Sequence, residues 1–370
     1  MDFASRTPHM IVLLRQLVEI ESPSHDKPGV DRVGAAIAAE CRRLGARVEI
    51  VPQAETGDQV VARWGEGTHG ILLLSHMDTV FPLGTLAKMP FVEKDGKIFG
   101  PGTSDMKGGI VVALTAIEVA LAAGDLPRPI TALFTSDEEI GSRTSRGLIE
   151  GLAKEASLVL VLEPGLPGGE VKTWRKGVGE FTVRVHGRAA HAGGDHEKGR
   201  NAIEELAHQV LAIQELTDYA RQTTLNVGVI RGGTASNVVP DEAVVEVDLR
   251  VMQPGEAERI ATAMQALRPK LEGTSIDVSG ALNRPPMPCD ERMKATFEKV
   301  KAIAARVGID LQASGTGGGS DANFVAPLGI PVLDGLGPAG EGYHSEREHI
   351  FAASLPERAK LLAAILKEWA

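Results

Sequence analysis

Histidines and carboxylates in this chain recur at the ends of apolar runs. The run Ile71–Leu74 stops at Ser75 and delivers His76 and Asp78. At i and i+2 on an extended chain, these two side chains point to the same side. Asp105 lies in a glycine-dense segment, Gly100–Gly109 (GPGTSDMKGG), which opens into a further apolar stretch. Pro129–Phe134 runs into Thr135–Gly141 (TSDEEIG), with Asp137, Glu138 and Glu139 in succession, and Leu158–Leu162 ends on Glu163. One His-x-Asp at a strand end is most often a satisfied histidine. A short acidic run is most often a solvated face, or a helix start capped here by Ser136. Successive apolar runs that end in or feed into His76, Asp105, Glu138/Glu139 and Glu163 point instead to one convergent cluster.

Imidazole with several carboxylates and no cysteine is a borderline-hard ligand set that suits zinc, cobalt or manganese. Two such cations close together need a bridging group, which a carboxylate supplies. Metal ions of this kind lower the pKa of water and polarise a carbonyl. A carboxylate beside them moves the water's proton to a leaving nitrogen. Glu138 and Glu139 can divide these tasks, one as base and one as ligand. The reaction class implied is metal-assisted hydrolysis of an amide-like bond. The Gly100–Gly109 segment is not a phosphate loop, because it lacks the Gly-Lys-Ser/Thr ending.

The elements that must position these groups read as β/α alternation. Met10–Glu21 and Asp31–Leu44 are expected helices, Arg47–Pro52, Gln59–Trp64 and Ile71–Leu74 expected strands, and Ile110–Ala123 a buried helix. This predicts an α/β domain with a mixed, mostly parallel sheet flanked by helices, where ligands bind beyond the carboxyl ends of the strands. From Gly177 to Leu282 the order changes to strand, helix, strand, strand, helix, strand, the ferredoxin-like arrangement. The 370 residues thus divide into a catalytic domain, 1–176 with 283–370, and an inserted α+β domain, 177–282. Helix Glu256–Leu271, strand Ser275–Ser279 and a Pro-rich return near Asn283 are expected within or beside the insert.

A net charge of −10 argues against nucleic acid or an anionic membrane as a partner. Cys41 and Cys289 have no CxxC spacing, so neither a disulfide framework nor a cysteine-based zinc site is expected. There is no apolar run of bilayer-spanning length, and a cytoplasmic location is expected.

Five motifs in order carry a family resemblance: HMDTV at His76–Val80, GPGTSDMKGG at Gly100–Gly109, TSDEEIGS at Thr135–Ser142, LEPG at Leu162–Gly165 and GYHS at Gly342–Ser345. Over nearly its whole length the chain resembles the di-zinc exopeptidase and aminoacylase family. The family includes glutamate carboxypeptidases, acetylornithine deacetylase and succinyl-diaminopimelate desuccinylase. The resemblance implies two zinc ions per subunit, with cobalt or manganese as alternatives. His76 and Glu163 are then ligands of one ion, Glu139 and His344 of the other, and Asp105 bridges them. Glu138 is implied as general base and Asp78 as the acid that orients His76. A cis peptide is implied at Asp105–Met106. The inserted domain resembles a lid and dimerisation domain, which implies a homodimer. Its His191 is implied to reach the partner subunit's site and stabilise the oxyanion, and Asn237 and Arg250 to hold substrate.

The segments around Arg284, Gly315–Ala322 (GTGGGSDA) and Gly342–Glu348 are most similar to the folate-cleaving glutamate carboxypeptidases. There Arg284, Thr316 and Gly319 match residues that hold the C-terminal carboxylate, a geometry an arginine fork suits. The other reading of Arg284 is a surface residue in a return linker. Glu170–Lys176 (EVKTWRK) departs from the pattern, leaving Lys172, Arg175 and Lys176 either to an acidic side chain or to the surface. The expected activity is release of a C-terminal amino acid, glutamate favoured, from small N-acyl or short peptidyl substrates. The alternatives are an N-acyl-amino-acid deacylase and a non-catalytic metal or peptide binder.

Overall fold

The computed structural model describes residues 3–124, 126–253 and 255–369. The chain runs α1 (Thr7–Val18), α2 (Lys27–Arg43), β1 (Arg47–Val51), β2 (Gln59–Trp64), β3 (Gly70–His76), α3 (Gly108–Ala122), β4 (Ile130–Thr135), α4 (Arg146–Glu155), β5 (Ala156–Val161) and β6 (Val171–Arg175). It continues through β7 (Gly177–His186), α5 (Ala202–Gln214), β8 (Thr224–Gly232), β9 (Glu242–Val251), α6 (Glu256–Gln265) and β10 (Ser275–Arg284). It closes with α7 (Glu291–Arg306), β11 (Ala313–Thr316), β12 (Val332–Leu333) and α8 (Ser354–Glu368). Two compact units result: Met1–Trp174 with Cys289–Thr316 and Ser320–Ala370, and Arg175–Pro288 with Gly317–Gly319.

In the first unit the main sheet has the order β1-β2-β4-β3-β5-β12. β1 and β2 pair antiparallel, as do β2 and β4. The β4-β3, β3-β5 and β5-β12 pairs are parallel. The sheet is therefore mixed and mostly parallel, as the β/α alternation predicts. Ile71–Leu74 at its centre is buried on both faces, which is why this strand reads as an unbroken apolar run. Helix α3 is buried along nearly its whole length.

α1 and α2 begin three to four residues earlier than the apolar periodicity suggests, each with a proline in its first turn, Pro8 and Pro28. Proline fits there because that N–H has no helical acceptor. Ser136 caps no helix: its hydroxyl donates to the Gly57 carbonyl, and only a short 3-10 turn, Glu138–Ile140, follows.

The second unit has an antiparallel sheet of order β8-β9-β7-β10, with α5 and α6 as its crossovers. In sequence rank this is 2-3-1-4, the ferredoxin-like topology. Val245, Val247, Leu249 and Val251 lie in its core with Leu206, Ile213 and Ile260. α6 is shorter than expected and stops at Gln265, because Pro269 disfavours helical geometry at Arg268. β10 is longer than expected and reaches Arg284. The unit also extends past 177–282, because the Arg175 and Met287 backbones pair with each other and lengthen the sheet's exit.

Among the described residues, no helix is long and apolar enough to cross a membrane.

Candidate metal centre

β3, β4 and β5 are adjacent and parallel, so their carboxyl ends meet at one edge of the sheet. His76 is the last residue of β3, Glu138 and Glu139 follow β4, and Glu163 follows β5. Asp105 arrives from the loop before α3. A Cβ on Gly109 would stand 2.0 Å from the Leu162 carbonyl oxygen, so glycine is needed to bring the start of α3 against the residue preceding Glu163. The Asp105–Met106 peptide is cis, and the Met106 sulfur lies 3.3 Å from the His76 backbone nitrogen. His344 adopts a positive φ of 58°, uncommon for a side-chain-bearing residue.

These groups converge. His76 Nε2 is 3.1 Å from Asp105 Oδ1 and 3.6 Å from Glu163 Oε1. His344 Nε2 is 3.2 Å from Asp105 Oδ2 and 3.3 Å from Glu139 Oε2. Each oxygen of one carboxylate thus faces a different imidazole. His76, Asp105 and Glu139 each offer a ligand atom within 4.8 Å of the others.

The electrostatics favour positive charge here. Burial alone would depress the His76 imidazole, but hydrogen bonds to Asp105 and Asp78 raise its pKa well above the usual value. Asp105 and Glu139 push His344 up to about 11. Although buried, Asp105 is held far below the usual carboxylate range by the two histidines. Burial and the Asp105 charge raise Glu139, whose buried Oε1 has no hydrogen-bond partner. An unpartnered buried carboxylate oxygen beside an Asp, a Glu and two His is a donor set that fits divalent cations.

Asp78 is fully buried and ties three segments together. Its carboxylate accepts from the Glu138 and Glu139 amides, both at 3.2 Å, and from the Ser24 hydroxyl at 2.7 Å. His76 Nδ1 sits 3.0 Å from the Asp78 carbonyl oxygen and 3.4 Å from its carboxylate. Asp137, beside the two glutamates, is buried and accepts from the Thr144 amide and hydroxyl.

Three residues of this region escape a sequence reading. Ser24 looks like an ordinary loop serine. Lys107 is buried, donates to the Ile20 carbonyl, and is pushed by burial down to about 7. Glu348, in the polar run HSERE, is buried and accepts the Ser104 and Asp105 amides. Burial and the Asp105 charge raise it to about 8.

In the second unit, His191 lies on a short ladder, Ala190–His191 against Val238–Val239. Its Nδ1 accepts the Gly193 and Gly194 amides, each at 3.0 Å. That fixes the tautomer: the proton is on Nε2, which is left as a donor. The Asn237 carbonyl accepts the Ala192 amide, so Asn237 adjoins His191 through the backbone. Arg250 pairs with Asp248 at 2.8 Å and donates to the Gly317 carbonyl at 3.3 Å.

Arg284 is not a surface linker residue. It is buried at the end of β10, after a bulge at Asn283, a device that re-aims side chains. A Cβ on Gly319 would meet Arg284 Cδ at 2.9 Å, so these two residues pack together. Thr316 ends β11 in the first unit and is half-buried. Nor does EVKTWRK lie on the surface: Val171–Arg175 is a strand with Lys172 and Arg175 buried. Arg175 donates to the Gly318 and Gly319 carbonyls.

A profile of the family described as Peptidase family M20/M25/M40 matches residues 72–368. Carboxypeptidase G2 of Pseudomonas sp. (strain RS-16) is 34% identical over 98% of this chain and 89% of its own length. Acetylornithine deacetylase of Proteus mirabilis is 28% identical over 98% of this chain and 97% of its own. In fold, the chain is similar to an M20 family metallo-carboxypeptidase from Sulfolobus solfataricus, with a TM-score of 0.78, 19% identity and 99% of each chain covered.

Proposed function

The chain belongs to the M20/M25/M40 peptidase family and is a metal-dependent hydrolase, and on that premise we propose that it cleaves the amide bond before a C-terminal amino acid, with glutamate favoured. The observation that carries the metal assignment is the Asp105 carboxylate with one oxygen toward His76 and the other toward His344, at 3.1 and 3.2 Å. In this reading His76, Glu163 and Asp105 would hold one zinc ion, and His344, Glu139 and Asp105 a second. When bound, the pair supplies Lewis acidity toward water and toward the scissile carbonyl.

The chain's own groups do the rest. Glu138 takes the proton of the attacking water and gives it to the leaving nitrogen. Its backbone is held by Asp78, which keeps the carboxylate in place. His191, with its proton on Nε2, donates to the oxyanion, and we assign this task to the histidine of the partner subunit in a homodimer built through the inserted domain. Asn237 and Arg250 contact the substrate near that histidine. The buried Arg284 guanidinium, packed on Gly319, and Thr316 receive the C-terminal carboxylate. We place the enzyme in the cytoplasm.

Carboxypeptidase G2 at 34% identity favours the carboxypeptidase reading, while acetylornithine deacetylase at 28% over nearly the whole chain favours a deacylase as the second. Amine release over a panel of N-blocked amino acids, with metal content measured on the same sample, separates them. Faster turnover of N-acyl- and peptidyl-glutamates than of N-acetylornithine or N-succinyl-diaminopimelate is expected, and the reverse order overturns the first reading. In the same assay Glu138→Ala keeps its metal and loses ~10²–10⁴-fold in kcat. Near-normal turnover would remove Glu138 from the base role.

A further inference from the structure

Asp105 and His344 are far apart in sequence, yet one short antiparallel ladder leads to both. Strand Lys97–Phe99 pairs with His349–Phe351, with His349 opposite Phe99. The loop carrying Asp105 leaves immediately after Phe99, and the loop carrying His344 enters immediately before His349. Glu348 stands where the two loops part. It is fully buried, and its Oε1 accepts the Ser104 amide at 2.8 Å and the Asp105 amide at 3.0 Å. Its other oxygen is buried without a hydrogen-bond partner. A buried carboxylate is costly to maintain. Here it takes up two backbone donors beside the Asp105–Met106 peptide, on the residue whose two oxygens face the two histidines.

We propose that Glu348 is a positioning residue: by holding the Ser104 and Asp105 amides from the segment that carries His344, it sets where the Asp105 carboxylate stands relative to both imidazoles, and so sets metal affinity. This rests on the reading of Asp105 and His344 as ligands of the metal pair. Glu348 touches neither substrate nor the reacting atoms. Its action is through the backbone of Asp105, as partners behind metal ligands act in general, where their loss typically lowers metal affinity by ~10–100-fold.

The test is cobalt(II) titration of the full-length chain after removal of metal by a chelator, followed by the visible d–d spectrum. Wild type, Glu348→Gln and Glu348→Ala are compared. Gln keeps an oxygen that can accept the same amides, whereas Ala keeps none. The proposal expects Glu348→Ala to bind cobalt ~10–100-fold more weakly with an altered spectrum, and Glu348→Gln to recover most of both. Should the alanine variant fail to fold, Glu348→Met, which fills the space without an acceptor, takes its place. Unchanged affinity and spectrum in the alanine or methionine variant overturn the proposal, as does a glutamine variant no better than alanine. A wild-type chain that takes up no cobalt overturns the metal assignment itself, and this proposal with it. Normal wild-type uptake with an indifferent Glu348 overturns this proposal alone.

Discussion

Asp78 offers a direct test of how the strand ends are held together. Its carboxylate is fully buried and has three donors: the Glu138 amide on Oδ1, and the Glu139 amide and Ser24 hydroxyl on Oδ2. Asp78→Asn keeps one oxygen and replaces the other with an NH2 group. Whichever way the amide is turned, one backbone N–H then faces a donor. The Ser24 hydroxyl can rotate to accept instead, so the net loss is one buried amide, about 1–3 kcal/mol. Asp78→Ala strands both amides, and the loss rises to about 2–6 kcal/mol. The imidazole is affected less, because His76 Nδ1 is closer to the Asp78 carbonyl oxygen, 3.0 Å, than to the carboxylate, 3.4 Å, and the carbonyl survives both substitutions.

The assay is urea unfolding of the metal-free chain by tryptophan fluorescence. Trp64, Trp174 and Trp369 are the chain's three tryptophans and all lie in the first unit, so the signal reports the unit that Asp78 stabilises. The expected order is wild type, Asn, Ala, with kcat falling in step because Glu138 loses its backbone anchor. Stability within about 0.5 kcal/mol of wild type in both variants, the range of a neutral surface change, would refute the reasoning. So would a loss of metal affinity with no loss of stability, which would return Asp78 to an imidazole-orienting role alone.

In the inserted unit, Glu205 is buried and accepts the Lys270 and Leu271 amides and the Thr274 hydroxyl. Burial would raise its pKa, but these bonds and the Gln209 side chain outweigh it and lower the value below 4.5. Its contribution is therefore fully present above pH 4.5 and is lost as pH falls through the lower folded-state value. Hydrogen exchange across 202–274 is expected to show Glu205→Gln destabilised by about 1–3 kcal/mol at pH 7, with the gap to wild type closing in acid, and a pH-independent gap would sink the assignment. His191→Ala is expected to lower kcat by ~10²–10³-fold with little change in KM. A rise in KM at constant kcat would make the residue a binding group instead.

The reach of the sequence depends on where a residue's partners lie. Apolar runs and the polar residues that end them are local, so β3, β4, β5 and the groups His76, Glu138/Glu139 and Glu163 are readable directly. The same holds for β7 and β9, whose alternation follows burial closely. Helix starts are less readable, because Pro8 and Pro28 look like breakers until their place in the first turn is known. β6 is hidden for a different reason. Lys172 and Arg175 make it look exposed, whereas Arg175 is buried against the carbonyls of Gly318 and Gly319. Those carbonyls are backbone groups, and no residue type announces them.

The three acids after β4 carry this furthest. Asp137, Glu138 and Glu139 are chemically near-equivalent in sequence, yet the fold gives each different surroundings. Asp137 turns inward and closes the loop on Thr144. Glu139 reaches His344, at 3.3 Å. Glu138 donates its amide to Asp78 and accepts the Gly141 amide, and it is the acid to which we assign the proton transfer. What separates them is the short 3-10 turn Glu138–Ile140, closed by Gly141 at a φ of 94°. Successive residues of such a turn project about 120° apart, so Glu138 and Glu139 leave it in different directions, while Asp137 precedes it in a non-helical conformation. A sequence can therefore show that acids gather at this strand end, but the different surroundings of the three are set by backbone geometry.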